Sequence, residues 1–395
     1  MFGKKRATVY PYTNEFAPLL RYWPSDSPYE IIHLVSPKGL ALHGKDAAWA
    51  DLGEPTGILV ESDFLAALED TDVLILADYG AYEAPKGIQG YYLDNKLDIS
   101  VKKAMLAVDQ GKEIVCLADL GDGRQRTLLN YAKQKNAKVT LVSPSLGESE
   151  AFAEGINRLS KITCPVVFVL GESENTSKFS VQLGLRANLE KQGYKVAVVG
   201  SRGYCQLAGV HSLPSFMLDK SMDDAEKIQA YRRYVLSIER HEKPDIMIIG
   251  VPGGIIPFTE RLHNGYGIVP FLISNAVHPD MTVFCMNHWD HMVEDLYKSF
   301  ENSLRYRLGC SLDCICISRN ELDWSKASRH DTEFFLRYEG KLDGILQETR
   351  AINPHTYDFS KQLDLEKMTQ FIIETLSGDQ QAYVMEEMGE MNSVY

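Results

Sequence analysis

A chain of 395 residues is longer than one ordinary core and predicts two α/β domains with small additions. With 45% hydrophobic and 24% charged residues it belongs with globular rather than disordered chains. The 41 Lys and Arg against 54 Asp and Glu leave a formal net charge of −13, which argues against a general binder of nucleic acid or anionic membrane but not against a small anion held by one loop.

No apolar run approaches the roughly 20 residues that span a bilayer. The basic start Met1–Arg6 leads into Tyr-Pro-Tyr, not an apolar signal core, so a cytoplasmic protein is expected. The seven cysteines, Cys116, Cys164, Cys205, Cys285, Cys310, Cys314 and Cys316, are odd in number and spread through apparent strands. That suits reduced, buried thiols better than a disulfide framework, and without a CxxC pair no metal site is expected.

In chain order, apolar runs predict strands at Ile31–Val35, Gly57–Val60, Val73–Ala77, Glu113–Ala118 and Lys138–Val142. Helical spacing over Asp98–Gln110 and Arg124–Lys135 separates the last three, the signature of βαβ units in a mainly parallel sheet. No GxGxxG occurs, so a Rossmann-like shape brings no dinucleotide with it. The turn Asp119-Leu-Gly-Asp-Gly123 lies between strand and helix, where ligands often sit, although Asp and Gly are also ordinary turn residues. The small, polar stretch Ser143–Glu150 reads as an interdomain connection.

A second α/β series follows. Strands are predicted at Pro165–Leu170, Lys195–Val199, Asp245–Ile249, Val269–Ile273, Thr282–Met286 and Asp313–Ser318. Helices are predicted at Val181–Gln192, Asp223–His241, His291–Arg307 and Asp364–Leu376, with a mobile, acidic, Met-rich end over Met385–Tyr395. The expected domains are 1–145, a Rossmann-like parallel-sheet domain; 146–345, a P-loop-NTPase-like domain; and 346–395, a helix and tail.

The most informative segment is Phe168-Val-Leu-Gly-Glu-Ser-Glu-Asn-Thr-Ser-Lys-Phe-Ser180. A buried strand ends at Gly171 and a helix begins near Ser177, the arrangement in which backbone N–H groups and the helix dipole converge on an anion. Lys178 would stand beside the outer phosphates, and Ser180 or Thr176 would offer a hydroxyl to phosphate or Mg²⁺. The pattern G-x5-S-K-x-S departs from G-x4-G-K-[ST]: Ser177 replaces the glycine before the lysine, and Phe179 takes the usual hydroxyl position. In P-loop enzymes a second buried strand ends in an acid that holds Mg²⁺. Here that strand ends at Gly250, with Gly253 and Gly254 beyond it, so efficient NTP hydrolysis would need Glu172, Glu174 or Asp219 to substitute.

Other polar groups are thinner. Asn287-His-Trp-Asp-His291 follows a strand and offers His288 and His291 as general-base or metal candidates, with Asp290 an ordinary N-cap. Arg202 is placed to reach a phosphate or to be a plain surface arginine, and His263-Asn-Gly-Tyr-Gly267 is a loop over a ligand or simply a turn. No GxSxG nucleophile motif occurs.

Gly171–Ser180, Gly200-Ser-Arg-Gly-Tyr-Cys-Gln-Leu-Ala-Gly209 and Gly250-Val-Pro-Gly-Gly-Ile-Ile-Pro-Phe258 together resemble the peptide maturation system proteins of bacteriocin-like gene clusters, from about Tyr10 to Arg319. More distantly, the architecture is similar to a two-domain family, Rossmann-like then P-loop, with members linked to N-acetylation of D-glutamate. That family carries Glu-Gly-Gln-Gly after the second strand, where this chain has Gly250-Val-Pro-Gly253.

The resemblance implies an accessory protein of ribosomal peptide natural-product maturation, meeting a precursor peptide or other maturation proteins. The expected ligand is a phosphorylated small molecule, ATP or GTP with Mg²⁺, held by Gly171, Thr176, Ser177, Lys178, Ser180, Arg202, Gly250, Gly253 and Gly254. The alternatives are an acyl-CoA-dependent N-acyltransferase-like enzyme using His288 or His291, and a non-catalytic scaffold.

Overall fold

The computed structural model describes residues 3–51, 53–78, 89–142, 161–202, 204–255, 257, 264–322, 334–336 and 342–392. The connection expected at Ser143–Glu150, His263, Gly203 and positions 256 and 258 lie outside the described residues. By internal contacts the chain divides into two units. The first is Met1–Pro144 with Gly203–Val210 and Leu322–Leu336, and the second is Ser145–Arg202, His211–Glu321 and Arg337–Tyr395.

In the first unit the strands are β1 (Lys5–Tyr10), β2 (Tyr29–Val35), β3 (Val60–Glu61), β4 (Val73–Leu76), β5 (Glu113–Cys116) and β6 (Val139–Leu141). All pairs are parallel, in the order β3-β2-β1-β4-β5-β6. This is the order of doubly wound dinucleotide-binding sheets. The helices are α1 (Ala17–Arg21), α2 (Phe64–Leu68), α3 (Gln89–Asp109) and α4 (Gly121–Gln134). β4 is buried along its whole length, which is why Val-Leu-Ile-Leu reads as an unbroken apolar run.

The central strand β1 escapes the apolar pattern because it opens with charge. Lys5 Nζ pairs with Glu113 at 2.6 Å and the Arg6 guanidinium pairs with Asp70, so the basic residues are neutralised at the strand's start while Ala7–Tyr10 are buried. After β1 the chain reads Tyr10-Pro-Tyr-Thr13 and enters a helix of five residues, with no glycine turn for a pyrophosphate.

In the second unit the strands are β7 (Val166–Gly171), β8 (Val196–Val199), β9 (Ile246–Gly250), β10 (Met281–Met286), β11 (Cys314–Ile317) and an edge strand, Thr356–Tyr357. These too are parallel, with β10 and β9 on either side of β7, β8 beyond β9, and β11 and the edge strand beyond β10. The helices are α5 (Lys178–Lys191), α6 (Asp224–Glu242), α7 (Ile268–Ala276), α8 (Glu294–Ser303), α9 (Leu342–Ile352) and α10 (Gln362–Asn392). Phe168 and Leu170 of β7, Ile249 of β9 and Phe284 of β10 join Tyr231, Val235 and Ile273 from the helices in one core.

The expected two-part α/β fold, a Rossmann-like sheet followed by a P-loop-like one, is therefore present. Two expectations need correction. Val269–Ile273 is not a strand but the middle of α7, whose Pro270 sits in the first turn, where a missing N–H costs nothing. A short, β-branched apolar run reads equally well as buried strand or buried helix. The helix expected to end at Leu376 continues to Asn392, through Glu, Gln and Met residues that favour helix.

Candidate functional site

β7 ends at Gly171 and α5 begins at Lys178, so Glu172–Ser177 form a tight turn at the carboxyl edge of a parallel sheet. The turn folds back on the strand. A Cβ at Gly171 would lie 2.5 Å from Thr176 Oγ1 and 2.9 Å from the Ser173 carbonyl, so only glycine fits. Asn175 and Ser177 are left-handed, with φ of +59° and +60°. The glycine that Ser177 replaces is thus missed in sequence but not in backbone path. The residual strain is of order 1 kcal/mol, and the Ser177 hydroxyl meets that of Ser318 at 3.2 Å.

Lys178 is 4% exposed, and its ammonium is fully engaged. Nζ donates to the carbonyls of Ser173 at 2.6 Å and Gly253 at 2.9 Å and lies 3.4 Å from Glu174 Oε2. The other Glu174 oxygen accepts the Gly253 N–H at 2.6 Å. Burial pushes the Glu174 carboxyl up, but Lys178, Arg202 and the Gly253 N–H outweigh it and hold the group below its ordinary value. Lys178, Glu174 and Gly253 form a closed ring that ties the loop to the segment after β9.

That segment is anchored further by Val251 N–H to the Val169 carbonyl at 3.0 Å and Ile255 N–H to the Gly171 carbonyl at 3.2 Å. Gly250–Gly254 therefore runs directly over the loop. The missing acid of the second strand has a steric cause. A Cβ at Gly250 would stand 2.2 Å from Gln182 Oε1, because Gln182 of α5, wholly buried, fills the space an Asp or Glu would need. Its amide instead faces Ser201, accepting from the backbone N–H at 3.3 Å and donating to the hydroxyl at 3.4 Å.

Glu172, the first loop residue, is wholly buried. Its carboxylate accepts the Asn287 N–H at 2.9 Å and the Trp289 indole N–H at 3.0 Å. Burial pushes its carboxyl up to about 7, against the lowering by those two donors. Asn287 in turn donates Nδ2 to the Ser173 hydroxyl at 2.8 Å. The histidines of Asn287–His291 are its chemically conspicuous residues, but the groups that reach the loop from this segment include Asn287 and Trp289.

The remaining candidates divide. Thr176, buried, spends its hydroxyl on the Ser173 carbonyl at 3.2 Å. Ser180 is buried in the first turn of α5, and the charge of Arg202 reaches Glu174. The His288 backbone N–H donates to the Asn320 carbonyl at 2.8 Å, and Asn320 Nδ2 bonds the Asn175 carbonyl in the loop. His291 instead faces Glu348 of α9 at 3.3 Å and is largely exposed. Asp219 accepts from the N–H and hydroxyl of Ser221.

The described residues include no group of three or more His, Cys, Asp or Glu side chains arranged to hold a metal. No disulfide joins the cysteines and all but Cys164 are buried, with burial pushing Cys116, Cys164 and Cys310 up to about 12. In the first unit, the Asp119–Gly123 turn opens on a shallow cleft of about 600 Å³ between α3 and α4, crossed by an Arg124–Asp98 ion pair at 2.6 Å.

No protein-family model and no curated protein matches the chain. Among solved structures, a DUF1611 family protein from Anabaena variabilis is 16% identical over 83% of this chain and 91% of its own, with a TM-score of 0.49. The hydrogenase maturation factor HypB from Archaeoglobus fulgidus is 14% identical over 54% and 90%, with a TM-score of 0.29. The signal recognition particle receptor FtsY from Elizabethkingia anophelis is 11% identical over 60% and 83%, with a TM-score of 0.26. These are likenesses of fold alone. No helix among the described residues is long and apolar enough to cross a membrane.

Proposed function

We propose that the second unit binds a nucleotide or another phosphorylated small molecule in the loop Gly171–Ser180, under Gly250–Gly254. The observation that supports this best is the buried Lys178 ammonium, held inside a strand-to-helix turn and backed by the charge of Arg202. The residues suit such a ligand in a second way. Asn287 Oδ1 is buried without a hydrogen-bond partner among the described residues, leaving an acceptor for a hydroxyl, amine or water brought in with the ligand.

They suit Mg²⁺ less well. A phosphate-bound Mg²⁺ takes one or two carboxylates from the protein. Here the second strand ends in Gly250 and the loop carboxylates are engaged, Glu174 with Lys178 and Glu172 with Asn287 and Trp289. Binding without rapid hydrolysis is the expected behaviour.

The test is isothermal titration of the protein and of Lys178→Ala with ATP, GTP and acetyl-coenzyme A, each with and without Mg²⁺. A charged hydrogen bond is worth about 1.5–3 kcal/mol, so Lys178→Ala should weaken binding roughly 10- to 150-fold. Preference for acetyl-coenzyme A would favour the acyl-transfer alternative. Failure of well-folded protein to bind any of the three would overturn the reading and leave the scaffold.

The finer role, in maturation of ribosomally made peptides, rests on the resemblance of the three glycine-bearing segments. It predicts measurable affinity for a precursor peptide, and a fluorescence-anisotropy titration showing none would remove it.

A further inference from the structure

We propose that Glu174 is an internal stand-in for the ligand's phosphate, which an entering anion must displace, so that this one side chain sets which ligands the loop admits; the inference rests on the binding reading above. The geometry carries it. The two Glu174 carboxylate oxygens engage two donors suited to an anion in such a loop, the Gly253 N–H at 2.6 Å and the Lys178 ammonium at 3.4 Å. A phosphate engaging both donors and the carboxylate cannot share this place, because like charges at contact distance repel.

Exposure decides which of them moves. The Glu174 side chain is 32% exposed and that of Lys178 is 4% exposed, so the carboxylate has a route outward and the ammonium has none. When Glu174 leaves, Lys178 keeps the Ser173 and Gly253 carbonyls as partners and remains aimed at the vacated place.

The consequence is a threshold. A tethered competitor acts at an effective concentration of about millimolar or higher. Apparent affinity falls by the fraction of molecules in which the place is open. That factor is the same for every anion, so it pushes weak single anions out of reach and leaves strongly held polyphosphates as ligands. Orthophosphate should be excluded from the parent protein at concentrations where ATP binds.

The experiment is a Mg²⁺-free titration with ATP and with orthophosphate, on the parent, Glu174→Gln, Glu174→Ala and Glu190→Gln. Gln keeps an acceptor for the Gly253 N–H and removes only the charge; Ala removes both. Glu190, paired with Arg186 on the exposed face of α5, controls for loss of a negative charge in general. Circular dichroism confirms that each variant is folded.

The expected result is that both Glu174 variants bind ATP about tenfold or more tightly than the parent and take up orthophosphate measurably, while Glu190→Gln changes ATP affinity less than about twofold. If the parent binds ATP and the Glu174 variants bind it no more tightly, the stand-in is overturned and the binding reading survives. If none of the four proteins binds ATP or orthophosphate, this inference fails, and titration of the parent with GTP and acetyl-coenzyme A then decides whether the binding reading fails with it.

Discussion

Glu172 gives the sharpest test of the buried network under the loop. Its carboxyl, ordinarily near 4.5, is pushed up to about 7 by complete burial. Between these two values the native protein holds a proton that the unfolded chain has released. Stability therefore falls as pH climbs from about 4.5 to about 7 and changes little beyond. At 1.36 kcal/mol per pH unit the loss is about 3 kcal/mol.

Glu172→Gln cannot ionise, and its amide oxygen can take the Asn287 and Trp289 N–H groups as the protonated acid does. Other titrating groups act alike on both proteins and cancel in the difference. Thermal melting at pH 5 and pH 8 should show the variant gaining on the parent by about 5–10 °C at the higher pH, at roughly 2–4 °C per kcal/mol. A gap that stays constant from pH 5 to pH 8 would refute the raised carboxyl and the burial argument behind it.

Other predictions follow from single contacts. Gly171→Ala puts a Cβ 2.5 Å from Thr176 Oγ1 and 2.9 Å from the Ser173 carbonyl, so it should cost about 1–3 kcal/mol in urea denaturation and reduce ATP affinity. Ser177→Gly relieves a left-handed residue but loses the Ser318 contact and gains freedom when unfolded, so its stability should stay within about 1 kcal/mol of the parent; a larger loss in the same melts would show that the hydroxyl pair matters more than the strain. In the first unit, burial would lower the His33 imidazole, but its bonds to Glu61 and Asp70 raise it above 6.5 overall. That stability is fully present below pH 6.5 and fades as pH rises through the native value, so His33→Asn should lower the melting temperature at pH 5.5 and leave it nearly unchanged at pH 9.

What the sequence made legible was local. The strand, turn and helix of the phosphate loop could be bounded from Phe168 to Ser180 because burial, small polar residues and helical spacing follow one another within a dozen positions. The carboxylate network could not, since Glu172 meets the Asn287 N–H across 115 positions, and which side chains of Asn287–His291 face the loop depends on how β10 ends. β1 is hidden in the sequence because Lys5 and Arg6 look like a basic tail until Glu113 and Asp70 are beside them. The start of α7 reads as a strand because Val269–Ile273 has the length and branching of one.

The missing acid at the end of β9 also bears on how this protein could change. An Asp at position 250 would collide with Gln182, and a smaller residue at 182 alone would leave a hole beside a glycine and Ser201 without its amide partners. Neither single step is neutral, although the two together fill the same space. The two positions are thus coupled: a carboxylate at that strand end would need residue 182 to change with it, so the pair is best varied together and not one at a time.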